Sequence, residues 1–218
     1  MARGGIGTGL ALLLAACMAA RAGASAPEDD GPRAVLVLGD SLSAGYGLGA
    51  GQDWPALVDR RIARDYPRCR VVNASISGET SAGGSARVVD EVLHHRPAVV
   101  VIALGANDAL RGLPLPELRR NLARMIGASR HVGAEVLLVG MRMPPNLGPD
   151  YTRGFEQTYR QLSSLFDVAL LPFLLEPVAL DRQQFQDDNL HPTAAAQPAI
   201  ADHVWGTLAP LLDRACRP

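Results

Sequence analysis

The sequence predicts one α/β domain in which a parallel sheet is covered by helices on both faces. Three observations carry that expectation. Continuous apolar runs of four to seven residues recur along the chain, the pattern of strands buried on both sides. Segments with apolar residues three and four apart separate them, so strand and helix alternate. The residues best suited to chemistry fall mostly just past those runs, where an open parallel sheet binds its ligands.

Taken in order, residues 1–26 read as an export signal. Met1-Ala2-Arg3 precedes an apolar stretch from about Ile6 to Ala20, short for a bilayer span but suited to a signal core. Ala22-Gly23-Ala24 and Ala24-Ser25-Ala26 offer small-residue cleavage sites. Leu14-Ala15-Ala16-Cys17 competes with them as a lipobox-like sequence; it would end the signal before Cys17 and leave that cysteine as a lipid anchor. The small-residue exit favours the cleaved, unanchored form. Residues 27–32 are a polar linker, and 33–218 form a single domain, within a chain whose 48% hydrophobic content is ordinary for globular proteins.

The first strand is Ala34-Val35-Leu36-Val37-Leu38, stopped at Gly39. Trp54 to Tyr66 is a helix, with Leu57, Val58 and Ile62 on one side and Arg60, Arg61 and Arg64 on the other. Arg70 to Asn73 is the second strand and Ser81 to His95 the next helix. The third strand spans Ala98 to Leu104, and the helix after it Pro116 to His131. The fourth strand is Glu135 to Val139, followed by a helix from Tyr151 to Phe166. A weaker fifth strand, Val168 to Leu171, and a last helix from Pro192 to about Ala215 complete the alternation. Cys69 and Cys216 then fall at the same end of the domain. An oxidising compartment permits them to pair, and two free thiols remain the other reading.

Four short segments supply what acyl transfer to water needs. Ser41, in Gly39-Asp40-Ser41-Leu42-Ser43, follows the first strand. A serine there is most often a helix cap, but the same place puts its hydroxyl beside free N–H groups and a favourable dipole. It needs a base to become a nucleophile. His191 is the candidate base: Pro192 holds it extended and starts the last helix. Asp188, three residues earlier, can turn back onto the ring, fix its tautomer and stabilise the imidazolium. The backbone N–H groups of Ser41 and Gly78 and the side-chain amide of Asn107 are the candidate oxyanion donors. Gly78 also lets a substrate approach the main chain closely. Each of these residues alone also reads as a cap or turn; their convergence from distant segments onto one sheet edge gives them weight. On loops near the same edge, Leu110, Leu113, Met141, Met143, Pro144, Pro145 and Leu147 are candidates to hold an acyl chain.

Composition removes other chemistries. All 21 basic residues are Arg, so Schiff bases, Ser-Lys dyads and P-loops, which need Lys, are excluded. A net charge of −1 without a basic block gives nucleic-acid binding no electrostatic support. No C-x-x-C and no cluster with metal-ligand spacing occurs, so neither metal nor cofactor is expected. Gly45-Tyr46-Gly47-Leu48-Gly49-Ala50 fits G-x-G-x-x-A, but it starts several residues past the strand and lacks an acidic partner. No G-x-S-x-G elbow is present.

In this order, the four segments resemble the sequence blocks of the SGNH hydrolases, the GDSL esterase and lipase superfamily. Within it the similarity is greatest to the periplasmic thioesterase I, lysophospholipase and arylesterase group. Gly39-Asp40-Ser41-Leu42-Ser43-Ala44-Gly45-Tyr46 resembles the first block and Asn73-Ala74-Ser75-Ile76-Ser77-Gly78-Glu79-Thr80 the second. Gly105-Ala106-Asn107-Asp108 resembles the third block and Asp188 to Pro192 the last, so the likeness runs from about Val35 to Leu212. The resemblance implies a flavodoxin-like three-layer α/β/α sandwich, with a five-stranded parallel sheet of order 2-1-3-4-5. It implies Ser41 as nucleophile, His191 as base, Asp188 as its partner, and Ser41, Gly78 and Asn107 as oxyanion donors. It implies hydrolysis of carboxylic esters and thioesters through an acyl-enzyme, by a periplasmic or secreted monomer acting on small-molecule acyl substrates. Contact with a membrane is then expected only through substrate lipids or an anchor at Cys17. The last block often has Gly after the Asp, where this chain has Asn189, a residue that tolerates left-handed backbone. A carbohydrate O-deacetylase, or a non-catalytic lipid- or glycan-binding module on this scaffold, is the alternative.

Overall fold

The structure, a computed structural model, describes residues 31–143 and 147–217. The export signal, Cys17, most of the linker, Pro144 and Pro145 lie outside the described residues. Strands β1 (Arg33–Gly39), β2 (Cys69–Asn73), β3 (Val99–Ala103), β4 (Glu135–Val139) and β5 (Ala169–Leu171) form one sheet of order β2-β1-β3-β4-β5. Every neighbouring pair is parallel. The connections hold α1 (Ser41–Ala44), α2 (Trp54–Asp65), α3 (Ser81–His95), α4 (Ala106–Leu110), α5 (Leu115–His131), α6 (Pro149–Phe166) and α7 (Gln197–Ala215).

The period of two along β1 divides the core. Val35 and Val37 join the buried α2 and α7 side chains Trp54, Val58, Ile62, Ile200, Val204 and Leu208 on one face. Leu36 and Leu38 join Val88 and Val92 of α3, Leu118, Leu122 and Met125 of α5, and Phe155 and Tyr159 of α6 on the other. The result is three layers, helix, sheet, helix.

Two short helices, α1 and α4, arise where the sequence pattern shows only strand ends. The expected start of the last helix also moves, from Pro192 to Gln197. The chain before it pairs with itself instead: Phe185 and Pro192 form an antiparallel bridge. Gln186 N–H donates to His191 C=O at 2.8 Å, and Thr193 N–H to Gln184 C=O at 2.7 Å. That pairing keeps His191 extended, and a 3₁₀ turn over Ala194–Ala196 leads into the helix. Asn189 takes the turn in left-handed backbone, φ +59°, which a short polar side chain accepts more readily than most.

A disulfide joins Cys69 to Cys216, with Cα atoms 5.9 Å apart. It lies at the amino-terminal edge of the sheet, where β2 begins and α7 ends. The ligand-binding edge is the opposite one.

Candidate active site

β1 ends at Gly39 and the chain turns at once into α1. Asp40 caps that helix, its carboxylate accepting from Leu42 N–H at 3.0 Å. Gly45 closes it in left-handed backbone, φ +74°. Ser41 is therefore the first residue of a single helical turn, set just past the carboxyl end of β1. Gly39 must lack a side chain, because a Cβ there would lie 2.7 Å from Ser43 Cβ.

The loop after β2 lies against the end of β1: Ala74 N–H donates to Val37 C=O at 2.9 Å, and Ile76 N–H to Gly39 C=O at 3.0 Å. This brings Gly78, at φ +79°, beside α1. Arg111 donates to the Gly78 carbonyl at 2.9 Å. Buried Asp108 accepts from both the N–H and the hydroxyl of Ser81, which fixes the start of α3 behind the loop.

After β3, Gly105 turns the chain with φ +125° and Asn107 projects from α4. Its amide donates to Glu79 C=O at 3.1 Å and makes a long 3.4 Å contact with Asp40 Oδ2. One N–H is thus well anchored, and the other is only weakly engaged.

The antiparallel turn before α7 delivers the imidazole. Asp188 Oδ1 accepts from the N–H groups of Leu190 at 2.9 Å and His191 at 3.0 Å. Its Oδ2 lies 2.6 Å from His191 Nδ1, and His191 Nε2 lies 2.8 Å from Ser41 Oγ. The His191 N–H, the imidazole and the Leu190 N–H hold the Asp188 carboxyl down at about 2. An ionised carboxylate can only accept, so the ring proton belongs on Nδ1 and the Nε2 lone pair faces the hydroxyl. The Tyr46 ring tilts against the imidazole with centroids 4.4 Å apart.

Ser41, Gly78, Asn107 and His191 all line one cleft of about 840 Å³. Leu110, Met141 and Met143 line it too. Leu113 and Leu147, expected in the same wall, are used elsewhere. The Leu113 carbonyl accepts from the Tyr151 hydroxyl at 2.8 Å in the connection between α4 and α5, and Leu147 packs onto the core beneath α5 and α6. Much of the apolar wall comes from residues the sequence reading did not single out: Leu42, Phe173, Leu175, Leu180, Phe185 and Leu190. The signal was the apolar stretch Phe173-Leu174-Leu175, which follows the carboxyl end of β5 as the other segments follow theirs. Asp40, Tyr46 and Gln186 were missed as well, because their importance lies in contacts across the fold and not in spacing.

The GDSL-like Lipase/Acylhydrolase family model matches residues 37–198. The chain is 45% identical over 202 residues to an esterase TesA of Pseudomonas aeruginosa, covering 93% of this chain and 99% of that one. It is 42% identical over 179 residues to a thioesterase 1/protease 1/lysophospholipase L1 of Escherichia coli, covering 82% and 85% respectively. A crystal structure of TesA matches with a TM-score of 0.80 at 47% identity, over 83% of this chain and all of the other (100%). A psychrotrophic esterase EstA from Pseudoalteromonas sp., crystallised inhibited by monoethylphosphonate, matches with a TM-score of 0.79 at 35% identity, over 83% and 99%.

Proposed function

Because the chain belongs to the GDSL-like lipase/acylhydrolase family and is a hydrolase of ester and thioester bonds, we propose that Ser41 is its nucleophile, His191 its general base and acid, and Asp188 the carboxylate that orients His191. One observation carries this assignment: the unbroken hydrogen-bonded line from Asp188 through His191 to Ser41.

Ser41 Oγ attacks the acyl carbonyl carbon while its proton passes to His191 Nε2. Asp188, ionised and already bonded to Nδ1–H, stabilises the imidazolium that forms. The carbonyl electron pair moves onto oxygen, where the N–H groups of Ser41 and Gly78 and the less engaged Asn107 N–H receive it. His191 then hands its proton to the leaving oxygen or sulfur, and the carbonyl reforms as an ester of Ser41. Water attacks that ester with His191 again taking the proton, and release of the acid restores the hydroxyl.

The apolar wall favours esters and thioesters that carry an acyl chain over acetylated sugars. All five site residues come from one chain, which supports a monomer as the acting unit. Residues 1–26 are an export signal in the same proposal, and the Cys69–Cys216 disulfide supports an oxidising destination.

Nitrophenyl esters of increasing chain length and an acyl thioester, given to wild type and Ser41→Ala, test the assignment. Loss of Ser41 is expected to lower kcat by about four to six orders of magnitude, and a phosphonate ester is expected to add covalently to wild type at Ser41 and not to the variant. Equal turnover by the two proteins would overturn the assignment.

A further inference from the structure

The two halves of the site come from segments distant in the chain, with Ser41 and His191 separated by 150 positions. One side chain fastens them. Gln186 Nε2 donates to the Tyr46 carbonyl at 2.9 Å, just after α1, and to the Pro192 carbonyl at 3.1 Å, just after His191. Its main chain is engaged on the same turn: its N–H donates to His191 C=O at 2.8 Å, and its C=O accepts from Asn189 N–H at 3.0 Å. A Cβ at Gly47 would lie 2.3 Å from Gln186 Oε1, so the loop after α1 comes close to this amide because that position is glycine.

We propose that Gln186 is a positioning residue for hydrolysis: by pinning the loop after α1 to the Asp188–His191 turn, it holds the Tyr46 ring against the imidazole and Nε2 in line with the Ser41 hydroxyl. The proposal rests on the roles assigned above to Ser41 and His191. The Tyr46 carbonyl it grips belongs to the residue whose ring meets His191, so the clamp acts on the base from two directions. The contact therefore bears on both proton transfers, acylation and deacylation, and hardly at all on substrate binding in the apolar wall.

Gln186→Met keeps the length and removes the donors, and Gln186→Glu keeps the shape and replaces the donating nitrogen with an acceptor oxygen. Turnover of a nitrophenyl ester is measured per active site, with sites counted by stoichiometric phosphonylation, so unfolded protein does not enter the rate. Misplacing a base by a fraction of an ångström to one ångström costs roughly 10- to 100-fold. Both variants are expected to lose that factor in kcat per titrated site, with KM within about twofold of wild type, and phosphonylation is expected to slow by the same factor. An unchanged kcat per titrated site in either variant, whether or not its yield of folded protein falls, overturns the proposal. A wild type that takes no phosphonate at Ser41 condemns instead the nucleophile assignment on which it rests.

Discussion

Asp40, one position before Ser41, is the carboxyl whose charge the fold resists. It is only 2% exposed, and burial pushes it up to about 6 despite the Leu42 N–H, the nearby His191 and the Asn107 amide. The unfolded chain releases that proton near 3.8. Between those values the native state keeps a proton that the unfolded state has lost, so stability from this group falls as pH rises. The gap is worth about 3 kcal/mol. In Asp40→Asn this dependence vanishes. Urea unfolding of both proteins across pH 3 to 8 is expected to show the variant gaining about 3 kcal/mol relative to wild type between pH 4 and 7. Parallel curves would mean that Asp40 titrates as an ordinary carboxyl. Asp188 behaves in the opposite sense. Its depressed carboxyl adds stability that is present above 3.8 and lost as pH falls through about 2, so it stays ionised wherever hydrolysis is assayed. The two acids differ because one faces the interior with a single short N–H bond, whereas the other stands in the open with two N–H groups and an imidazole.

At the scale of elements, two short helices place the chemistry, and a glycine sets the second of them. A Cβ on Gly105 would sit 2.0 Å from the Tyr159 hydroxyl and 3.1 Å from Leu118 Cδ1, on backbone at φ +125°. Tyr159 cannot simply retreat, being buried with its hydroxyl donating to Leu104 C=O at 2.9 Å. Gly105→Ala is expected to lose about 2–4 kcal/mol of stability and to pull Asn107 off its anchor on Glu79. Adding Tyr159→Phe removes the clashing atom. The double variant is expected to be more stable than the sum of the single losses by more than about 0.5 kcal/mol, measured as a double-mutant cycle. The strands and five long helices were legible because their apolar period persists for several turns or a full run. Helices α1 and α4, of four and five residues, are too short to show a period, yet Gly39-Asp40-Ser41 and Gly105-Ala106-Asn107 marked their places as motifs. The start of α7 was misread because Pro192 has the look of a first-turn proline, while its actual partner is Phe185 across an antiparallel bridge. The far wall of the cleft was illegible for a related reason. Leu175, Leu180 and Phe185 lie in irregular chain, and nothing in their spacing says which way they face.

For the molecule as a whole, the ends of the fold are gathered at the edge remote from the chemistry. The disulfide closes a span of 147 positions between Cys69 and Cys216. A loop of that size restricts the unfolded chain by roughly 4–5 kcal/mol in the chain-entropy account. Reduction, or Cys69→Ala with Cys216→Ala, is expected to lower Tm by roughly 10 °C. Ester hydrolysis at 25 °C is expected to remain within about twofold of wild type, since the bridge lies at the edge of the sheet opposite the cleft. A loss of activity matching the loss of stability would show that the two edges of the sheet communicate. Near the same bridge, Arg33 at the head of β1 donates to the Ala215 carbonyl at the foot of α7, 2.7 Å away. Entry to the domain and exit from it are thus neighbours, at the edge opposite the cleft. Immobilised on a bead or fused to a passenger at Arg33 or at Ala215, the domain would keep its mouth turned to open solution, so neither point of attachment needs to be chosen over the other for the sake of turnover.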